Sequence, residues 1–211
     1  MSAVKKVLGF YILPLYILIH PFDGFRAMKF DREGRMWVAA LNFLVVCISY
    51  SFSAQYTASI VTPHNPLVLN SLRDFSTLTS MLVLFCIANW SVTSLTDGEG
   101  KLKEIFMAVC YAMTPLVLTI IPATLLSNVL AYEETGFYFM LLSVGMGYFL
   151  FLAFIGLVTV HNYTATKAII TMFLTFVALV VIVFLLTMLS TLLFQVIMFI
   201  QSVYDEIIFR G

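Results

Sequence analysis

Five long stretches of this sequence carry no charge, and nothing else in it constrains the fold as much. They are Trp37–Tyr56, Phe75–Leu95, Ile105–Ala131, Gly136–Val160 and Ala168–Ile200. No Asp, Glu, Lys, Arg or His falls inside any of them. As a helix, each is long enough to cross the ~30 Å hydrocarbon layer of a bilayer. In lipid every backbone N–H and C=O must be paired within the segment, which leaves helices, because the alternating pattern of a membrane β-barrel is absent. Composition agrees: 62% of the 211 residues are hydrophobic and 10% charged, where a soluble domain has roughly 45–50% and 25%. The formal net charge is zero, which removes the electrostatic case for nucleic acid. The expected fold is therefore all-α, a polytopic membrane protein. A bundle of five transmembrane helices occupies residues 37–211, after a cytoplasmic N-terminal segment at residues 1–36.

Lys and Arg in the connecting loops set an expected orientation, since cytoplasmic loops are enriched in them. One side holds Lys5, Lys6, Arg26, Lys29, Arg32, Arg35, Lys101, Lys103 and Lys167, and the other only Arg73 and Arg210. Five spans then place the N-terminus in the cytoplasm and the C-terminus outside. The fifth run exceeds one crossing and is too short for two. It is read as one long helix that tilts, protrudes or bends near Ser190–Gln195, with the tail Gln201–Arg210 near the outer interface. The N-terminal stretch Val7–Ile19 is too short to span and is expected to form an interfacial helix.

Inside the spans, Cys47, Cys86 and Cys110 lie in apolar runs without CxxC spacing and read as core residues. The pairs Ser76/Ser80, Ala108/Ala112 and Ser143/Gly147 have the spacing of close helix contacts. Pro115 and Pro122 should kink the third span, and Thr114 can satisfy a carbonyl that Pro115 frees. The Asp97-Gly98-Glu99-Gly100-Lys101 stretch fits neither a phosphate-binding loop nor a calcium loop. It reads as a tight turn between the second and third spans, with glycines permitting the turn. The histidines His20, His64 and His161 lack metal-ligand spacing, so no metal or other cofactor is expected.

Three segments carry a resemblance: HPFDGFRAMKFDREG (His20–Gly34), ANWSVTSLTDGEGKLKEIFMAVCYAMTPLVL (Ala88–Leu118) and SNVLAYEETGFY (Ser127–Tyr138). Together they resemble the bacterial branch of the Yip family of integral membrane proteins, over nearly the whole chain. The resemblance implies a five-helix bundle with a cytoplasmic N-terminus. It also implies an accessory membrane protein of the bacterial plasma membrane, with ABC-type transporter subunits among its partners. The family takes its name from eukaryotic proteins that interact with Ypt/Rab GTPases, and its eukaryotic members carry a long cytoplasmic N-terminal segment used in trafficking contacts. This chain has about 36 residues before its first span, so that activity is not carried over.

Catalysis and ion coupling are both unsupported by the sequence. Coupled transport places titratable groups within the membrane, and a nucleophilic enzyme needs an acid–base partner set. The expected role is a non-enzymatic scaffold or accessory subunit that contacts the lipid bilayer and other membrane proteins. The alternative is a passive conduit or lipid-handling protein. An uncovered apolar helix face would favour the first and a continuous polar groove the second. The expected partner-docking surface gathers the polar, turn-rich stretches of the inner side: His20, Asp23, Asn89, Trp90, Asp97, Glu99, Lys101, His161 and Asn162.

Overall fold

The computed structural model describes residues 13–61 and 70–210, apart from the side chain of Arg210. His64 and residues 7–12 of the N-terminal stretch lie outside the described residues. Among those described there is no strand. After a helical segment over residues 13–19 come α1 (Pro21–Lys29), α2 (Met36–Tyr56), α3 (Ser71–Leu95), α4 (Leu102–Ala112) and α5 (Thr114–Ser127). A single 3-10 turn (Tyr132–Glu134) leads into α6 (Thr135–His161), and α7 (Ala165–Arg210) completes the chain. Among the described residues, five helical stretches are long and apolar enough to cross a membrane, α4 and α5 together making the third. This is the polytopic all-α membrane architecture expected from the sequence.

Local chemistry sets the helix boundaries. The Asn70 side chain accepts from the backbone N–H groups of Leu72 and Arg73 at 3.1 and 3.2 Å, capping α3. α6 ends on Asn162 in the left-handed conformation, φ 55°, and Tyr163 N–H then reaches the Val158 carbonyl at 3.1 Å. This is the usual way of closing a helix C-terminus. The third span breaks at Met113. Pro115 has no N–H for the Tyr111 carbonyl, so the Thr114 hydroxyl takes that carbonyl instead at 2.7 Å. Asn42 reaches across from α2 to donate to the Cys110 carbonyl at 2.6 Å and to Thr114 Oγ1 at 3.2 Å. The Thr114 rescue follows the sequence expectation, whereas the part played by Asn42 emerges only in the fold.

α4 sits at the centre, packed on α2, α3 and α6. Ile105, Ala108, Cys110, Tyr111 and Ala112 on it have no exposed surface. The Tyr111 hydroxyl donates to the Arg35 carbonyl and accepts from the Arg35 N–H, both at 3.0 Å, fixing the start of α2 to the core. All three cysteines are buried free thiols. Of the expected small-residue contacts, only Ala108/Ala112 is buried. Ser76, Ser80, Ser143 and Gly147 face outward. The close approaches occur elsewhere. A Cβ on Gly145 would lie 2.0 Å from Thr119 Oγ1, and one on Gly156 would lie 2.9 Å from Phe25 Cε1.

The 13–19 helix is seated on the bundle wall. Leu13 and Ile17 are buried while Leu15 and Ile19 face outward. The Tyr148 hydroxyl, near the middle of α6, donates to the Leu18 carbonyl. α1 then runs back along α6 with Phe25 and Met28 buried. α7 is one unbroken helix of 46 residues, about 69 Å long at 1.5 Å per residue. Among the possibilities left open by its length, the helix protrudes. Every described position from Val183 to Phe209 is exposed.

Candidate functional site at the basic end of the bundle

Of the expected docking residues, Asn89, Asp97, Glu99, Lys101, His161 and Asn162 lie at the end where α3 turns into α4 and α6 into α7. Asp97 adopts φ 55° and Gly98 N–H bonds back to the Thr93 carbonyl at 2.8 Å, closing α3. The residue with the left-handed backbone is thus the aspartate. The glycines serve a different need, correcting the expectation that they permit the turn. A Cβ on Gly98 would stand 2.6 Å from Tyr163 Oη and 2.8 Å from His161 Nδ1. One on Gly100 would stand 2.5 Å from His161 Cε1. The loop therefore lies directly on the imidazole, and only residues without a side chain fit there.

Beneath the loop runs a chain of neutral hydrogen bonds linking three spans. Asn89 Nδ2 donates to Thr175 Oγ1 at 3.1 Å, which orients Asn89 Oδ1 toward His161 Nε2 at 3.0 Å. Thr175 donates on to the Thr171 carbonyl at 2.8 Å. With Oδ1 as acceptor, the imidazole proton sits on Nε2. The Nδ1 atom is then a bare acceptor, and it is buried without a hydrogen-bond partner. Tyr163 stacks on His161 with ring centroids 5.3 Å apart, and its hydroxyl donates to the Thr96 carbonyl at 3.0 Å. Lys29 reaches Glu99 at 3.3 Å, tying α1 to the loop. Lys167 lies 4.5 Å above the Tyr163 ring.

This arrangement divides the expected residues into three groups. Asn89 and His161, 1% and 2% exposed, are internal struts that no protein partner can touch without opening the bundle. Asp97, Glu99, Lys101 and Asn162 are exposed around the loop. Lys101 starts α4, its N–H bonded to Glu104 Oε2 at 3.1 Å. Trp90 points outward from α3, 45% exposed, as an interfacial anchor would. His20 is exposed and stacked on Tyr16 at 5.1 Å, and Asp23 is exposed on α1. Among the described residues, no hydrogen bond joins either to the loop. Beside the loop an open cleft of ≈ 510 Å³ lies between α1 and the end of α6, lined by Phe22, Arg26, Phe30, Asp31, Thr159 and Asn162 among others. Among the described residues no group of three His, Cys, Asp or Glu side chains could hold a metal. Sequence reasoning missed Thr175, Tyr163 and Lys29. Their partners Asn89, Thr96 and Glu99 lie 86, 67 and 70 positions away in the chain, which no local pattern reveals.

The Yip1 domain family model matches residues 15–200, which covers all five spans and the basic-end loop. The chain belongs to the Yip1-domain family. No curated protein and no solved structure matches it. The Yip1-domain match starts at residue 15, so it takes in α1 and residues 15–19 of the preceding helix, both packed on the bundle. In this Yip1-domain protein the Asp97–Lys101 loop and its supporting hydrogen-bond chain all fall within the matched region.

Proposed function

We propose that this Yip1-domain protein is a non-enzymatic scaffold or accessory subunit that organises a membrane complex. The observation that carries the reading is the uncovered apolar length of α7, where every described position from Val183 to Phe209 is exposed. Lipid can cover only ~30 Å of this length, and contiguous apolar surface beyond that marks an interaction site. The basic-end loop adds a second, polar surface, held still by Tyr163, Lys29 and the struts beneath it. Rigidly positioned polar loops are where contacts to partners concentrate. The Lys and Arg distribution supports a cytoplasmic N-terminus and an extracytoplasmic C-terminus. An ABC-type transporter is the first partner class to look for.

Crosslinking in native membranes followed by mass spectrometry tests the reading. The expected result is a recurrent set of membrane-protein partners. Recovery of the chain crosslinked to lipid alone would overturn it in favour of lipid handling, for which the apolar cleft of ≈ 450 Å³ between α2, α5 and α6 is the supporting feature. Replacing Asp97, Glu99, Lys101 and Lys103 together by Ser maps the docking surface. Exposed loop charges contribute little to stability, so the variant should insert normally and lose partners bound at the basic end.

A further inference from the structure

We infer that the protruding part of α7 is a self-association helix, which pairs in parallel with the same segment of a second copy. The inference rests on the scaffold reading and names one occupant of the uncovered face. It begins with a change of character along a single helix. From Ala168 to Leu186 the polar residues are Thr171 and Thr175, and both are buried toward the bundle. That stretch is about 28 Å long at 1.5 Å per residue, one hydrocarbon thickness. Beyond it the helix continues without a break to Arg210, and its composition turns amphipathic. Thr187, Ser190, Thr191, Gln195, Gln201 and Ser202 gather on one side.

The other side stays apolar, and its register is already in use. In the bundle, α7 packs mainly on α3, with Ala168, Thr171 and Thr175 buried and Ala178 and Ile182 partly covered. These positions alternate in steps of three and four. The same steps continue past the bundle through Leu185, Leu189, Leu192, Val196, Phe199 and Val203. This is the two-in-seven repeat of a coiled-coil seam, flanked by Leu186, Leu193 and Ile200 as a third apolar row. Where α3 no longer covers the seam, all of it is exposed.

Two observations select a second copy over a membrane surface. An amphipathic helix that lies on a bilayer carries Lys and Arg on its polar face. Here there is neither between Lys167 and Arg210, and Asp205 and Glu206 would meet anionic headgroups unfavourably. An unbroken helix also cannot fold down onto the membrane that its first half crosses. A second copy faces neither obstacle. All copies insert with the same orientation, so their extensions project on the same side, parallel and in register. Each seam then meets its own counterpart.

Single cysteines along the extension of the full-length protein in native membranes test this, because the three natural cysteines are buried. Leu189→Cys, Leu192→Cys, Val196→Cys, Phe199→Cys and Val203→Cys should give disulfide-linked dimers of the chain on mild oxidation. Thr191→Cys, Gln195→Cys and Met198→Cys should give far less. Uniform yields, or no dimer at any position, would overturn the inference. Adducts to other proteins at the seam positions would also overturn it while leaving the scaffold reading intact. A second variant, Leu192→Glu with Phe199→Glu, touches only the extension. In detergent its particles should shift to the mass of a single chain while the thermal midpoint of the bundle is unchanged. An unchanged oligomer would count against the seam.

Discussion

Asn89 accepts a hydrogen bond from His161 at 3.0 Å and donates one to Thr175 at 3.1 Å, so a single side chain on α3 holds both α6 and α7. Neither bond carries a charge, and both are shielded from solvent. Their value lies in what removal leaves behind, because an orphaned buried polar group costs about 1–3 kcal/mol. Asn89→Leu should therefore lower the thermal midpoint in detergent, followed by intrinsic tryptophan fluorescence. The double variant Asn89→Leu with His161→Phe should lose less than the sum of the two single changes, since one unmet demand is removed with the other. Strict additivity would show that the two side chains do not work as a pair.

Glycine substitutions should sort by what surrounds the missing side chain. Gly100→Ala drives a methyl group to 2.5 Å from His161 Cε1, and Gly145→Ala one to 2.0 Å from Thr119 Oγ1. Both should destabilise the fold. Gly147 has no neighbour within 4 Å of such a methyl and lies inside α6. Gly147→Ala should be neutral or stabilising by up to about 1 kcal/mol, because glycine is a poor helix former. Equal thermal shifts for all three variants would contradict the packing described for the loop and for α5 against α6.

The break at Met113 offers a separate test. Asn42→Leu removes the donor to the Cys110 carbonyl and should cost about 1–2 kcal/mol, in the range of interhelical hydrogen bonds within membranes. In a Pro115→Ala background the break can close into continuous helix, bringing the Thr114 N–H to the Cys110 carbonyl, and the same Asn42→Leu change should cost less. The measurement is again thermal unfolding. An identical loss in both backgrounds would mean that Asn42 does not act through the break.

Reporter fusions after Gly34, Asn65, Gly100, Glu134 and Lys167, and at the C-terminus, should alternate between inside and outside, beginning inside. The expectation comes from the loop charges. Two neighbouring sites reporting the same side would show that one apolar helix does not cross.

The five spans were legible because absence of charge over about 20 residues is a local property, visible without knowing any neighbour. The Thr114 rescue at Pro115 was legible for the same reason, since donor and acceptor are three residues apart. The site was only half legible. Asn89 and His161 stood out as polar residues near span ends, but they are separated by 72 positions in the chain. Nothing local says that two such residues face each other inside the bundle and not toward a partner. Two of the three small-residue pairs failed on the same ground. A four-residue spacing puts Ser76 and Ser80 on one helix face without saying which face is covered, and their hydroxyls are satisfied by the Arg73 and Thr77 carbonyls of their own helix. At the Asp97–Lys101 loop the sequence reads the glycines as turn formers, because the imidazole pressed against them is contributed by a distant helix.

The Leu18 carbonyl finds its partner in Tyr148, 130 residues further along the chain. A ribosome adding about 5–20 residues per second needs roughly 6–26 s to make the intervening stretch. During that time α2 to α5 emerge, while the helix end that Tyr148 will seal is still open. The 13–19 helix is made before the spans that follow it, and its end is fastened after most of them. Its docking onto α6 is thus a natural checkpoint in biogenesis, closing only after four of the later helices are in place.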